Sequence, residues 1–249
     1  MSGHSKWASI KHKKAATDAR RGQLFTKLAR AISVAAREGG GDPAANYTLA
    51  AAIEKARGYS MPKDNIQRAI DRGTGAGADA AAIERVVFEG YGPGGAAILV
   101  EALTDNRNRT SAEVRHAFSK HGGSLGEPGS VAWIFEKRGV IVVDADRYGE
   151  DDLIPAIDAG AEDVQQDGDL LKVISEPAQL TGVREALEAA GVEIQSSDLT
   201  MEPKNLVEVD ESAARPLLRL LDDLEDQDDV NEVQANFDIP QEVLEKAAA

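Results

Sequence analysis

Residues 139–198 read "GVIVVDADRYGEDDLIPAIDAGAEDVQQDGDLLKVISEPAQLTGVREALEAAGVEIQSSD", and the order of elements in this stretch decides the fold. "GVIVVD" (139–144) is a short, β-branched apolar run, the pattern of a buried strand. "EDDLIPAIDAG" (150–160) has helical spacing and a glycine stop. "EDVQQ" (162–166) and "LLKVIS" (170–175) read as two strands, "QLTGVREALEAAG" (179–191) as a second helix and "VEIQSSD" (192–198) as a fourth strand. The order is βαββαβ, the ferredoxin-like arrangement.

The flanks carry a second, split pattern. Upstream, "ERVVFEGY" (84–91) and "AAILVEAL" (96–103) are β-rich runs joined by a "GPGG" turn. "NRTSAEVRHAFSKHGG" (108–123) reads as a helix with a Thr110/Glu113 capping box, and "SVAWIF" (130–135) as a further strand. Downstream, "NLVEV" (205–209) is extended, "ESAARPLLRLLDDLEDQ" (211–227) is helical with Pro216 near its start, and "VNEVQANF" (230–237) is a strand. Neither flank is large enough to bury a sheet face alone. Together they make a second α+β domain into which the ferredoxin-like block is inserted.

Three helices fill much of residues 16–73. In "QLFTKLARAISVAAR" (23–37), Leu24, Leu28 and Ile32 recur every four positions with Phe25 beside them, and Lys27, Arg30 and Arg37 fall on the opposite arc. "DPAANYTLAAAIEKARG" (42–58) has Asp42 as N-cap, Pro43 at the first helical position and Gly58 past the end. "MPKDNIQRAIDRG" (61–73) repeats the scheme with Pro62 and Gly73. The glycine-rich "GTGAGADAA" (73–81) matches a dinucleotide fingerprint in letters only, because it follows a helix rather than a strand; it reads as a linker. The expected fold class is therefore α+β multidomain. A basic arm and helical bundle (1–75) precede one α+β domain (82–137 plus 198–249) and the inserted ferredoxin-like domain (138–197).

Chemistry is scarce. The chain has no cysteine, which excludes disulfides, thiolate metal sites and a Cys nucleophile and fits a reducing compartment. Of the four histidines, His116 and His121 are five apart and so face different ways on a helix. No P-loop ending and no G-x-S-x-G elbow is present. The acidic run "DDLEDQDDVNE" (222–232) lacks EF-hand spacing and reads first as a solvated helix end. A weak divalent-cation site, a surface that repels nucleic acid and a surface that docks on the basic domain are its other readings. The expectation is a protein without catalytic residues, metal or cofactor. No run is long and apolar enough to span a bilayer and no secretory h-region is visible, so the expectation is a cytoplasmic protein with no membrane partner.

Charge is the strongest functional signal. The formal net charge is −15, yet residues 1–37 hold nine basic side chains and one acid, Asp18. Residues 38–75 balance five against five, so the rest of the chain carries −23. The arm "GHSKWASIKHKK" (3–14) mixes small flexible residues with Lys6, Trp7, Lys11, His12, Lys13 and Lys14, and the basic series continues through Arg20, Arg21, Lys27 and Arg30. That composition suits an arm that orders against phosphates. Trp7 has two readings: packing on the bundle, the commoner fate of a large aromatic, and stacking on a base. Lysine-rich arms contact phosphate in DNA or ribosomal RNA alike. A −23 body resists wrapping by a long duplex and matters less where only one tip enters an RNA crevice.

"MSGHSKWASIKHKK" (1–14), "MPKDNIQRAI" (61–70), "FEGYGPGGAAILVEALTDNRNRT" (88–110) and "GGSLGEPGSVAWIF" (122–135) together resemble the signature stretches of the YebC/PmpR family, to which the mitochondrial translational activator of cytochrome c oxidase is related. The resemblance runs essentially the full length. It implies a helical bundle followed by two α+β domains, one inserted in the other, in a cytoplasmic protein of bacterial type. It implies a nucleic-acid-binding regulator in one of two roles: a DNA-binding transcriptional regulator, or a ribosome-associated translation factor that relieves stalling. In both, the N-terminal basic residues are the implied contacts. "GYGPGG" and "TDNRNRT" are the implied second surface, through Tyr91, Gly92, Arg107 and Arg109. An acidic scaffold that binds basic proteins is a third function class, but it leaves the basic arm unexplained.

Overall fold

The computed structural model describes residues 18–75, 83–240 and 243, the side chains of 18–21 apart. Three helices come first: α1 (Asp18–Gly39), α2 (Tyr47–Gly58) and α3 (Lys63–Gly73). The α1 stripe is wider than its four-residue spacing suggests. Leu28 and Ile32 are buried as expected, but so are Ser33, Val34, Ala35 and Ala36, so the second half of α1 is enclosed round most of its circumference.

The start of α2 differs from the sequence reading. Its cap is Asn46, whose Oδ1 accepts from Leu49 N at 3.0 Å, not Asp42, which accepts from Ala44 N in a preceding turn. Asn46 is buried, and its Nδ2 also donates to the carbonyls of Ala35 and Gly40, both at 2.9 Å. An aspartate accepts but cannot donate, so only an amide serves both helix ends. Gly73 closes α3 for a reason other than its backbone freedom. A Cβ there would lie 2.3 Å from the Ser33 carbonyl oxygen, so the glycine permits close approach of α3 to α1, where Ser33 Oγ donates to Ala69 O at 2.8 Å.

The first sheet contains β1 (Glu84–Tyr91), β2 (Ala97–Thr104) and β3 (Ser124–Leu125). α4 (Arg107–Lys120) joins β2 to β3. The second sheet contains β4 (Phe135–Asp144), β5 (Ala161–Asp167), β6 (Leu170–Ser175) and β7 (Ile194–Pro203), with α5 (Ile154–Asp158) and α6 (Leu180–Ala189) between its strands. Its order is β5-β6-β4-β7, which places the first strand of the βαββαβ series beside the third and the fourth, as in ferredoxin-like sheets. The chain then returns through β8 (Val207–Glu208), α7 (Glu211–Glu225), β9 (Val230–Ala235) and β10 (Phe237–Asp238). β9 pairs antiparallel with β2 and completes the first sheet in the order β3-β1-β2-β9, while β8 and β10 form a small parallel pair. The fold is thus mixed α+β, with helices first and antiparallel sheets after.

"SVAWIF" is not a strand. Ala132–Ile134 form a single 3-10 turn and β4 begins only at Phe135. The cause is Glu89 on β1, whose Oε2 accepts from Val131 N and Ala132 N, both at 2.7 Å, and so takes the donors a ladder would need.

Each sheet has its own core. Val86, Phe88, Ile98 and Val100 of the first sheet pack with Val114 and Phe118 of α4 and with Leu217, Leu220, Leu221 and Leu224 of α7. In the second, Ile141, Val143, Leu171 and Val173 pack with Leu153, Ala156, Val183 and Leu187. Lys172, between Leu171 and Val173, points to the other face and is 1% exposed, with its Nζ 3.5 Å from Glu202 Oε2. The chain divides into two compact units: one takes α1 up to Lys27 with the first sheet and its helices, the other takes the helices from Leu28 with the second sheet.

Candidate nucleic-acid interface

Lys6, Trp7, Lys11, His12, Lys13 and Lys14 lie outside the described residues. Arg20 and Arg21 sit in the first turn of α1, their side chains likewise outside. What is described is how the arm's root is held. Gln23 Nε2 donates to Asp226 O at 3.1 Å and to Asp228 Oδ1 at 2.6 Å, and Lys27 Nζ donates to Glu225 O at 2.6 Å. Glu225 ends α7, so the Lys27 ammonium meets the negative end of that helix. One of the basic residues assigned to nucleic acid therefore has a partner within its own unit. Arg30, one turn further, is half-buried.

These contacts correct the reading of the acidic run as a solvated helix end. Asp223 accepts from Lys120 Nζ at 2.6 Å and meets His121 Nε2 at 2.7 Å, and both hold its carboxyl below the usual aspartate range. Asp229 is only 4% exposed, and its Oδ2 accepts from Arg109 Nη2 at 2.6 Å, Thr110 Oγ1 at 2.8 Å and Thr104 Oγ1 at 3.0 Å. Burial pushes this carboxyl up; the hydrogen bonds from Arg109, Thr110 and Thr104 outweigh it and keep the pKa low. Its backbone oxygen also accepts from Leu103 N at 2.8 Å.

"TDNRNRT" (104–110) is the other half of this network. Thr104 Oγ1 accepts from Asn106 N at 2.9 Å, and Asn106 Oδ1 caps α4 by accepting from Arg109 N at 3.2 Å. The expected Thr110/Glu113 capping box is absent: Thr110 is fully buried inside the helix, its hydroxyl directed to Asp229. Arg109 also pairs with Asp105 at 3.0 Å, so it braces the loop. Arg107 is exposed and makes no polar contact with the described residues.

The structure does not bring Tyr91 and Gly92 together with Arg107 and Arg109. Tyr91 pairs with Ala97 at one end of β2 and Thr104 closes the other. At ~3.4 Å per residue the two groups are separated by roughly 24 Å of strand. Gly92 serves packing, since a Cβ there would lie 2.8 Å from Ile98 Cδ1 and from Leu217 Cδ1. Tyr91 Oη donates to Ser130 O at 3.1 Å, and the indole Nε1 of Trp133 donates to the same oxygen, also at 3.1 Å. Trp133 is 65% exposed. Its loop is fixed from below by Glu89, 7% exposed, which accepts backbone N–H groups of Gly129, Val131 and Ala132. Burial raises the Glu89 pKa, and these three hydrogen bonds together hold it below its usual value. A polar residue in a strand that faces a glycine- and proline-bearing loop was the available sequence signal for Glu89.

Two family models cover nearly the whole chain: that of the TACO1/YebC protein N-terminal domain over residues 5–76, and that of the TACO1/YebC second and third domain over residues 83–237. The chain belongs to the TACO1/YebC family. Among its curated relatives, a probable transcriptional regulatory protein of Rubrobacter xylanophilus is 59% identical over 249 residues, all of both chains. One of Acidothermus cellulolyticus is 54% identical over 98% of this chain and 99% of its own. A crystal structure of a conserved hypothetical protein from Aquifex aeolicus superposes with a TM-score of 0.79 at 46% identity, over 90% of this chain and 93% of that one. The TACO1/YebC relatives are thus named as regulators rather than enzymes. Among the described residues no helix is long and apolar enough to cross a membrane, and no group of three or more His, Asp or Glu could hold a metal ion.

Proposed function

We propose that this TACO1/YebC protein is a cytoplasmic nucleic-acid-binding regulator of gene expression, and that it acts first as a DNA-binding transcriptional regulator. The observation that carries the reading is the +8 charge of residues 1–37 in a chain of net −15. Lys6, Lys11, Lys13, Lys14, Arg20 and Arg21 meet phosphates, with Trp7, His12 and the exposed portions of Lys27 and Arg30 at the margin of the contact. The regulator name of the bacterial relatives supports the transcriptional role. The three-part division into 1–75, 82–137 with 198–249, and 138–197 belongs to the same proposal, with the arm and the first half of α1 making the contacts.

A second reading has its own support. The −23 carried beyond residue 75 opposes wrapping by a duplex and favours a target met by one tip of the molecule, such as ribosomal RNA. The two roles separate in one lysate. A transcriptional regulator prefers its operator over random duplex by about 10³-fold or more at physiological salt. Footprinting on genomic fragments with excess competitor DNA is expected to leave a discrete protected site. Ribosome co-sedimentation in a sucrose gradient that is lost on deletion of residues 1–14, without any protected site, removes the transcriptional role.

A further inference from the structure

We infer that the outer face of α4, built on Arg107 and Arg115, is a second phosphate-contacting surface. Its occupant is the phosphodiester backbone of the nucleic acid held by the arm. The inference rests on the nucleic-acid reading above and names a part of the molecule that reading did not use.

The face follows from helical geometry. At about 100° per residue, Thr110, Val114, Ala117 and Phe118 fall on one arc and are buried against the sheet and α7. Asn108, Ala112, Arg115 and Ser119 fall within an arc of about 60° on the solvent side, flanked by Ser111 and His116, and Arg107, exposed in the first turn, stands at the N-terminal end of the helix beside this arc. The one acid of the helix, Glu113, points elsewhere, and its carbonyl receives Gln227 Nε2. Arg107, Arg115 and His116 are exposed and make no hydrogen bond or ion pair with the described residues. Two guanidinium groups five donors strong, without a carboxylate on their face, are uncommon in a chain this acidic.

Shape supports the same occupant. Ser111, Ala112 and Ser119 are short, so they leave a shallow open cleft of about 490 Å³ between the Asn108, Arg115 and His116 side chains. A ridge of backbone oxygens can settle in such a depression, with arginine above it and serine and asparagine donors along it.

Position links the face to the arm. The first turn of α4 is anchored to the 226–229 loop by Arg109 and Asp229. The start of α1 is anchored to the same loop by Gln23 through Asp226 and Asp228. Asp228 and Asp229 are chain neighbours, about 3.8 Å apart at Cα. The root of the basic arm and the Arg107 end of α4 therefore converge on one loop. Of the nearest acids, Asp105 and Asp229 are engaged by Arg109 and Asp228 by Gln23, while the Asp226 side chain is exposed. One polynucleotide can run from the arm onto α4 past Asp105, Asp228 and Asp229, whose carboxylates are engaged.

The test uses the full chain with Arg107→Gln and Arg115→Gln together. Both side chains are exposed and unpartnered, so the fold is expected to be retained, and circular dichroism checks it. The control is Arg68→Gln with Arg72→Gln, two exposed arginines on α3 that have no partner among the described residues and whose replacement removes the same charge. Binding to a random DNA duplex and to a single-stranded RNA of equal length is measured against salt. Loss of two phosphate contacts is expected to reduce the log–log salt slope by about 2, and affinity at low salt by about tenfold or more, while the α3 pair leaves the slope unchanged. A wild-type slope in the α4 variant, beside a salt-dependent wild type, overturns the α4 face alone. An equal change in both variants reduces the effect to net charge and also overturns it. Absence of salt-dependent binding by the wild type on both probes removes the nucleic-acid reading and this face with it.

Discussion

Asp229→Ala is expected to destabilise the unit around the first sheet by about 2–3 kcal/mol, the loss of three hydrogen bonds to a buried carboxylate. The carboxylate is 4% exposed and receives three side-chain hydrogen bonds. Alanine takes the carboxylate acceptor from the buried Thr104 and Thr110 hydroxyls, which keep only their bonds to each other and to Asn106, and leaves Arg109 with only Asp105. Asparagine keeps the shape but loses the charge and is expected to cost about 1–3 kcal/mol. The pH dependence has a fixed sign. The folded pKa lies below that of an unfolded aspartate, about 3.9, so the stabilisation is complete above that value and fades as pH falls through the folded pKa. Urea unfolding at neutral pH and in acid measures both effects. An alanine variant within 1 kcal/mol of wild type, or a wild-type advantage over asparagine that grows in acid, contradicts this assignment.

Replacement of Lys11, Lys13 and Lys14 by glutamate is expected to lower nucleic-acid affinity more than 100-fold at physiological salt. With ~4–6 phosphate contacts, the wild-type log–log slope is expected between about −3 and −5, and three contacts account for much of it. The substitution also places three negative charges where phosphates would lie. The thermal midpoint is expected to stay nearly unchanged, since the described cores draw on residues from Leu28 onward. A triple variant that binds normally moves the site away from the arm. One that unfolds early makes the arm a structural strap.

What could be read from the sequence is what local physics controls. The strand and helix periods of 139–198 reflect side chains that alternate or recur toward one core, and Ile141, Val143, Val183 and Leu187 are buried as that pattern requires. The basic arm stood out by composition alone. Three of the failures share one cause, a partner outside the segment being read. Asp42 is a sound local cap, but Asn46 wins because it also ties down Ala35 and Gly40. Thr110 is a sound capping residue, but Asp229, 119 positions later, claims its hydroxyl. "SVAWIF" has strand composition, but Glu89, more than 40 positions earlier, takes its amides. The candidate second surface failed to assemble for a geometric reason, as Tyr91 and Arg107 stand at opposite ends of one strand.

The placement of β9 beside β2 has a consequence for biosynthesis. Val100 pairs with Val233, 133 positions later, whereas every strand of the second sheet lies within residues 135–203. Chain growth therefore completes the ferredoxin-like sheet while β2 still has an open edge and Phe88, Ile98 and Phe118 lack their cover from α7. Loop closure costs only about 0.6 kcal/mol per doubling of length, so the delay is one of timing rather than of final stability. A nascent chain halted before residue 207 is expected to show protease-resistant β4–β7 and a freely cut β1–β2 hairpin. Equal resistance of both would mean that the first sheet closes without its last strand. Until the C-terminal helix and strand emerge, the unpaired edge of β2 is the part of the molecule most open to mispairing with another chain.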